Sequence, residues 1–128
     1  MSLIVEQLTD ITEKKRAAKE RELLMSAIDQ AAEAVVITDT DAVIQYVNPA
    51  FERITGYMRP EILGQTPRIL KSGKQDRAFY SDLWDTICQG KTWRGTLTNR
   101  KRDGHFYTEE AVISPVRNAS SEVTNYVA

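Results

Sequence analysis

Residues 37–70 read ITDTDAVIQYVNPAFERITGYMRPEILGQTPRIL. Two short β-branched runs flank an aspartate-rich turn, and Asp39 and Asp41 favour that turn because their side chains bond nearby backbone. With the preceding residues the strands read as 33–39 and 42–48, paired as a hairpin. Asn48 then suits an N-cap, and Pro49 stands where its missing N–H costs nothing. Phe51 and Ile54 are expected to bury, and Gly56 to end that short helix. Two further single-turn helices follow, one between Pro60 and Gly64 and one over TPRILKSG.

Working outward, QDRAFYSDLWDTICQG reads as a longer helix. Asp76 caps it, Phe79, Leu83 and Ile87 form its apolar face, and Gly90 closes it. Three strands complete the chain: TWRGTLTNR, then HFYTEEAVISPV after an Asp-Gly turn, then VTNYVA. Two strands at the start and three at the end, with helices between, predict an α+β fold. It has a five-stranded antiparallel sheet with short helices on one face.

Residues 10–32 read as a helix, free of Gly and Pro and rich in strong helix formers, with Thr12 as its expected N-cap. Leu24, Ile28 and Ala31 share a stripe, but between Glu13 and Glu22 that stripe is mostly charged or alanine. Such a helix buries little on its own domain, and reads as a connector or a weak coiled-coil seam. The expected division is a connector over 1–32 and a folded domain over 33–128.

The chain has 128 residues, 41% hydrophobic and 27% charged, with a net charge of −1. That balance does not describe a polyanion binder. The basic residues Arg94, Arg100, Lys101 and Arg102, with Lys71, Lys74 and Arg77, read as a solvated face and not a nucleic-acid interface. No long apolar run crosses a membrane, and the first residues do not read as a signal peptide. The single cysteine, Cys88, allows no disulfide within the chain and agrees with a reducing, cytoplasmic setting. It reads as a small buried hydrophobe. No Ser-His-Asp, zinc or phosphate-loop spacing is visible, so the sequence does not read as an enzyme.

Residues 37–70 and 79–128 together resemble a PAS domain, including the Asn-Arg-x-x-Asp-Gly hairpin at 99–104. DITEKKRA at 10–17 is similar to the exit motif that follows the last strand of a PAS domain. Here it precedes the domain, which suggests a piece of a longer multi-domain sensor. The resemblance implies a sensory input module in two-component or cyclic-di-GMP signalling. Such a module binds a small ligand or cofactor and relays change through flanking helices. It also implies a homodimer through the N-terminal helix and an output kinase or cyclase domain in the parent. A ligand-free dimerisation module and a flavin redox sensor are the alternatives.

Light-sensing members carry Gly-x-Asn-Cys-Arg on a short helix, where the cysteine bonds flavin. Here Gly64-Gln65-Thr66-Pro67-Arg68 stands in that place. Proline has no nucleophile, so that adduct is excluded, while Arg68 remains a candidate for a flavin phosphate. The rear half is similar to the redox flavin domains of nitrogen-fixation regulators, which makes Trp93, Asn99, Tyr107 and Glu110 candidate cofactor-binding residues. In that likeness Trp93 flanks an isoalloxazine ring and Asn99 bonds its polar edge. The plainer reading makes Trp93 a core aromatic and Asn99 the end of a strand. Haem is disfavoured: haem members use a histidine on the long helix, residues 76–90 hold none, and His105 follows a turn. Glu109 and Glu110 point to opposite faces of their strand, and alternation alone leaves open which one faces inward.

Overall fold

The computed structural model describes residues 2–128, with side chains from residue 10 onward. The first helix, α1, spans Ser2–Gln30. It starts well before the expected residue 10, because residues 2–9 hold no Gly or Pro to stop it, and Thr12 therefore lies inside the helix. From Asp10 through Ala27 it is exposed, and only Ile28 and Asp29 near its end are half-buried. The charged stripe from Asp10 to Ala27 is exposed, and the helix meets its own domain only in its last turn among the described residues.

Next come β1 (Val36–Asp39), β2 (Ile44–Val47), α2 (Pro49–Thr55), α3 (Arg59–Ile62) and a 3-10 turn, Pro67–Leu70. Then follow α4 (Arg77–Cys88), β3 (Trp93–Arg100), β4 (Phe106–Arg117) and β5 (Val123–Val127). The sheet runs in the order β2-β1-β5-β4-β3, and every pairing is antiparallel. In the first hairpin, Asp39 Oδ1 accepts from the N–H groups of Asp41 and Val43, each at 2.9 Å. Pro115 lies beyond the end of β3, whose first residue Trp93 pairs with Ile113, so its missing N–H deprives β3 of no bond.

β1 begins three residues later than expected. The Val35 N–H donates to Asn48 Oδ1 at 2.8 Å instead of joining a ladder. Asn48 is fully buried. Its Oδ1 also accepts from Phe51 N at 3.1 Å, capping α2. Its Nδ2 donates to the carbonyls of Ile28 at 3.0 Å and Glu33 at 2.9 Å. One carboxamide thus joins the last turn of α1, the approach to β1, the end of β2 and the start of α2.

The helical crossover is fastened to both sheet edges. At β2, Ile44 N donates to Gln65 O at 2.8 Å and Gly64 N to Ile44 O at 2.9 Å. At β3, Lys71 bridges Asn99, and Ser72 Oγ donates to Thr98 O at 2.5 Å. With its amide oriented to match, Gln75 donates to Thr98 O and accepts from Thr98 N, both at 2.9 Å. These contacts cover part of each edge, at Ile44 of β2 and at Thr98 and Asn99 of β3.

The helices cover one face of the sheet with two apolar clusters. Ile44, Val47, Phe51, Ile62 and Leu70 form the first, and Leu83, Ile87, Trp93, Leu97 and Tyr126 the second. Cys88, expected to be buried, is exposed, because it lies at the last turn of α4 off the Leu83–Ile87 stripe.

Replacing Asn48 by Ala leaves the Val35 and Phe51 N–H groups and the Ile28 and Glu33 carbonyls without this partner. The expected loss is about 3 kcal/mol in urea unfolding. Asn48→Asp is expected to destabilise as well, since it keeps the acceptors but loses both donors. A midpoint unchanged in both variants would contradict this account.

Candidate functional site

The candidate site is the inner face of β3 and β4. Alternation directs Trp93, Gly95, Leu97 and Asn99 inward and leaves Arg94, Thr96 and Arg100 exposed. On β4, Ala111 and Ile113 pack on the second cluster, so Tyr107 and Glu109 share their inward phase. Glu110 follows the opposite phase and is exposed. The expectation that Glu110 lines the pocket is therefore corrected: a strand turns its neighbours to opposite faces, and the packing of Ala111 and Ile113 selects Glu109.

Register brings the polar groups together. Asn99 pairs with Tyr107, and Leu97 with Glu109, so Asn99 and Glu109 are diagonal neighbours. Asn99 Nδ2 donates to Glu109 Oε1 at 3.2 Å. Burial pushes the Glu109 carboxyl above its ordinary value, and the Asn99 hydrogen bond opposes that rise. Burial, reinforced by the nearby Glu109 charge, pushes Tyr107 up to about 12, so its O–H stays protonated at neutral pH.

Trp93 is buried and meets Phe79 edge-on, with ring centroids 5.5 Å apart. Its indole folds across Gly95, where an added Cβ would lie 2.6 Å from the ring. Glycine is thus required at 95 for Trp93 to lie there. Sequence reading missed Gly95 and left Glu109 undecided. The available signals were a glycine in a strand interior, which marks a close approach, and the phase of the apolar residues beyond Glu109.

The remaining candidates lie apart. Arg68 is exposed on the 3-10 turn, beside Pro67. His105 is exposed, with Nδ1 3.0 Å from Asp103 Oδ1, and hydrogen bonds from His105 hold the Asp103 carboxyl below its ordinary value. An open depression of ≈ 600 Å³ lies between the end of α2 and the β3–β4 turn, lined by Arg53, Thr55, Gly56, Lys101, Arg102 and Asp103 among others. Among the described residues, no group of three or more His, Cys, Asp or Glu could hold a metal ion.

The residues present do not fit a flavin. An isoalloxazine ring needs a flat slot and free hydrogen-bonding groups along its edge. An Nδ2 hydrogen of Asn99 is turned to Glu109, and the Trp93 indole lies over Gly95. Pro67, in place of the light-sensing motif's cysteine, removes the covalent adduct alone.

The Glu109 carboxyl has a direct consequence for stability. Its folded pKa lies above its ordinary 4.5, so the folded state holds the proton more tightly than the unfolded chain. The folded state is relieved of this burial cost below that value, and stability falls as pH rises past it. Glu109→Gln keeps an acceptor for Asn99 and removes the charge. This variant is expected to melt above the parent at pH 7 and together with it at pH 4. Equal melting at both pH values would show that the carboxyl is not desolvated.

Comparison with known proteins agrees with this fold. The PAS fold family matches residues 22–128. A nitrogen fixation regulatory protein of Klebsiella oxytoca is 42% identical over 106 residues, covering 83% of this chain and 21% of that protein. The bacterioopsin transcriptional activator of Halobacterium salinarum is 32% identical over 111 residues, covering 84% of this chain and 16% of that protein. The solved structure of an RNA-binding light-oxygen-voltage receptor aligns with a TM-score of 0.81 at 34% identity, covering 87% of this chain and 32% of that one. The chain thus spans about a fifth of the length of the first of these curated relatives.

Proposed function

The chain belongs to the PAS fold family, and from that premise we propose that it is the sensory input module of a larger signalling protein. The inner face of β3 and β4 receives a small ligand or an equivalent stimulus, and α1 carries the response outward. The division into a connector over 1–32 and a domain over 33–128 belongs to the same proposal. So do an output kinase or cyclase domain, a cytoplasmic setting and the lack of any catalytic step of its own. Among the described residues, no helix is long and apolar enough to cross a membrane.

The observation that carries this reading is the junction at the end of α1. Asn48 holds the Ile28 carbonyl, and Arg59 Nη2 lies 3.2 Å from Asp29 Oδ1. Arg59 also donates from Nε to Val47 O at 2.8 Å and stacks over the Tyr46 ring, 4.8 Å from its centroid. The Tyr46 hydroxyl bonds Asp29 in turn. The last turn of α1 is therefore bonded to the edge strand β2 and to the first residue of α3. A shift of the sheet reaches the helix through these polar contacts. A few kcal/mol of differential binding suffices to tilt such a two-state element.

A second reading, a dimerisation module without a ligand, draws on the Asn99–Glu109 bond, in which the inner face answers its own polar groups. Both readings use α1 as the dimer contact. Ile11 and Met25 are 50% and 46% exposed, and with Ala18 they recur every seven residues along the helix. The chain is expected to scatter light at twice its 14.5 kDa. The double variant Ile11→Glu, Met25→Glu is expected to scatter as a monomer. A parent already monomeric, or a double variant still dimeric, would remove α1 from the interface.

A further inference from the structure

We propose that Glu109 closes the inner face to flavins, so that this domain answers a stimulus other than flavin redox or light chemistry. The inference rests on the reading of that face as the receiving surface. The polar edge of a flavin offers carbonyl and ring-nitrogen acceptors to an amide donor. On this face the Asn99 amide supplies that donor, and Glu109 Oε1 already accepts from it at 3.2 Å. The carboxylate thus takes the place of the flavin edge.

Displacing it would leave a half-buried charge without its amide partner, on the inner face of the sheet. The Tyr107 phenol stands near enough to feel that charge, and the apolar neighbours do nothing to relieve it. Leu97 pairs with Glu109 across the ladder, and Ala111 follows it along the strand. Reduction of a flavin adds electrons, and an anionic reduced ring beside the carboxylate would be repelled. The indole of Trp93 lies across Gly95 and narrows the face beside it. Glu109 holds the Asn99 donor while Trp93 narrows the face beside it, and Glu109 is the group that an alanine can remove without losing a core aromatic.

The test adds riboflavin, FMN or FAD in excess to the purified chain, followed by gel filtration and titration of flavin fluorescence. The parent is expected to emerge without flavin absorbance. Glu109→Ala is expected to bind flavin about tenfold tighter or better. Far-ultraviolet circular dichroism and a melting curve check that the variant is folded, and Glu109→Ser replaces it if it is not. Adding Asn99→Ala to the opened variant is expected to abolish the gain. A parent that binds flavin as tightly as Glu109→Ala overturns the proposal, and so does a folded Glu109→Ala that binds none. Flavin bound by Glu109→Ala but indifferent to Asn99→Ala would sit elsewhere, and would overturn the inner-face reading instead.

Discussion

The carboxamide of Asn48 is the constraint on which the rest of the fold depends. It is fully buried, and both its donor hydrogens and its acceptor oxygen are used. A buried amide without partners would cost several kcal/mol, so this site is stable only when four separate stretches of backbone arrive together. Those stretches are the end of α1, the lead-in to β1, the close of β2 and the first turn of α2. The residue that starts a seven-residue helix therefore also sets where the long connector leaves the domain.

The inner face shows the same logic with a different result. Hydrophobic packing of Leu97, Ala111 and Ile113 holds the strands in phase, and that phase turns Asn99, Tyr107 and Glu109 inward. The three polar groups occur among apolar neighbours, where desolvation raises both the carboxyl and the phenol. An arrangement that burial destabilises marks a place where a fold serves something other than stability. In a family of sensory modules, such a place suits the receiving role proposed for this face.

The end of α1 meets the β2 edge, and the polar inner face lies toward the β3 edge, on the other side of one sheet. The crossover between them, residues 49–90, is bonded to β2 at Gln65 and to β3 at Ser72 and Gln75. Movement at β3 has a bonded route to β2 through this segment as well as through the strand ladder. The Arg59 contacts then pass from β2 to Asp29 on α1. These contacts are half-exposed, so each is weak singly and the junction can be rearranged without unfolding the domain.

Much of this was legible in residue order. The hairpin followed from Asp39 and Asp41, the short helix from Asn48-Pro49 with Gly56, and the long helix from Asp76 with its Leu83 and Ile87 stripe. These are local effects, caused by side chains acting on their own backbone within one turn. The single five-stranded antiparallel sheet agrees with the family resemblance, and the inward placement of Trp93 and Asn99 with alternation. The start of α1 was misplaced because a helix cap is only one way to begin, and nothing in residues 2–9 prevents helix. The inward carboxylate was not legible. Glu109 and Glu110 are chemically identical, and only contact between β4 and the α4 cluster distinguishes them. The second role of Asn48, holding Ile28 and Glu33, was equally hidden, since those partners lie 20 and 15 residues away in the chain. Sequence by itself determined the elements and their caps, because those forces act over a few residues. Tertiary structure decided which face each polar group meets and where the connector is held, because burial and long-range hydrogen bonds exist only once the sheet has closed.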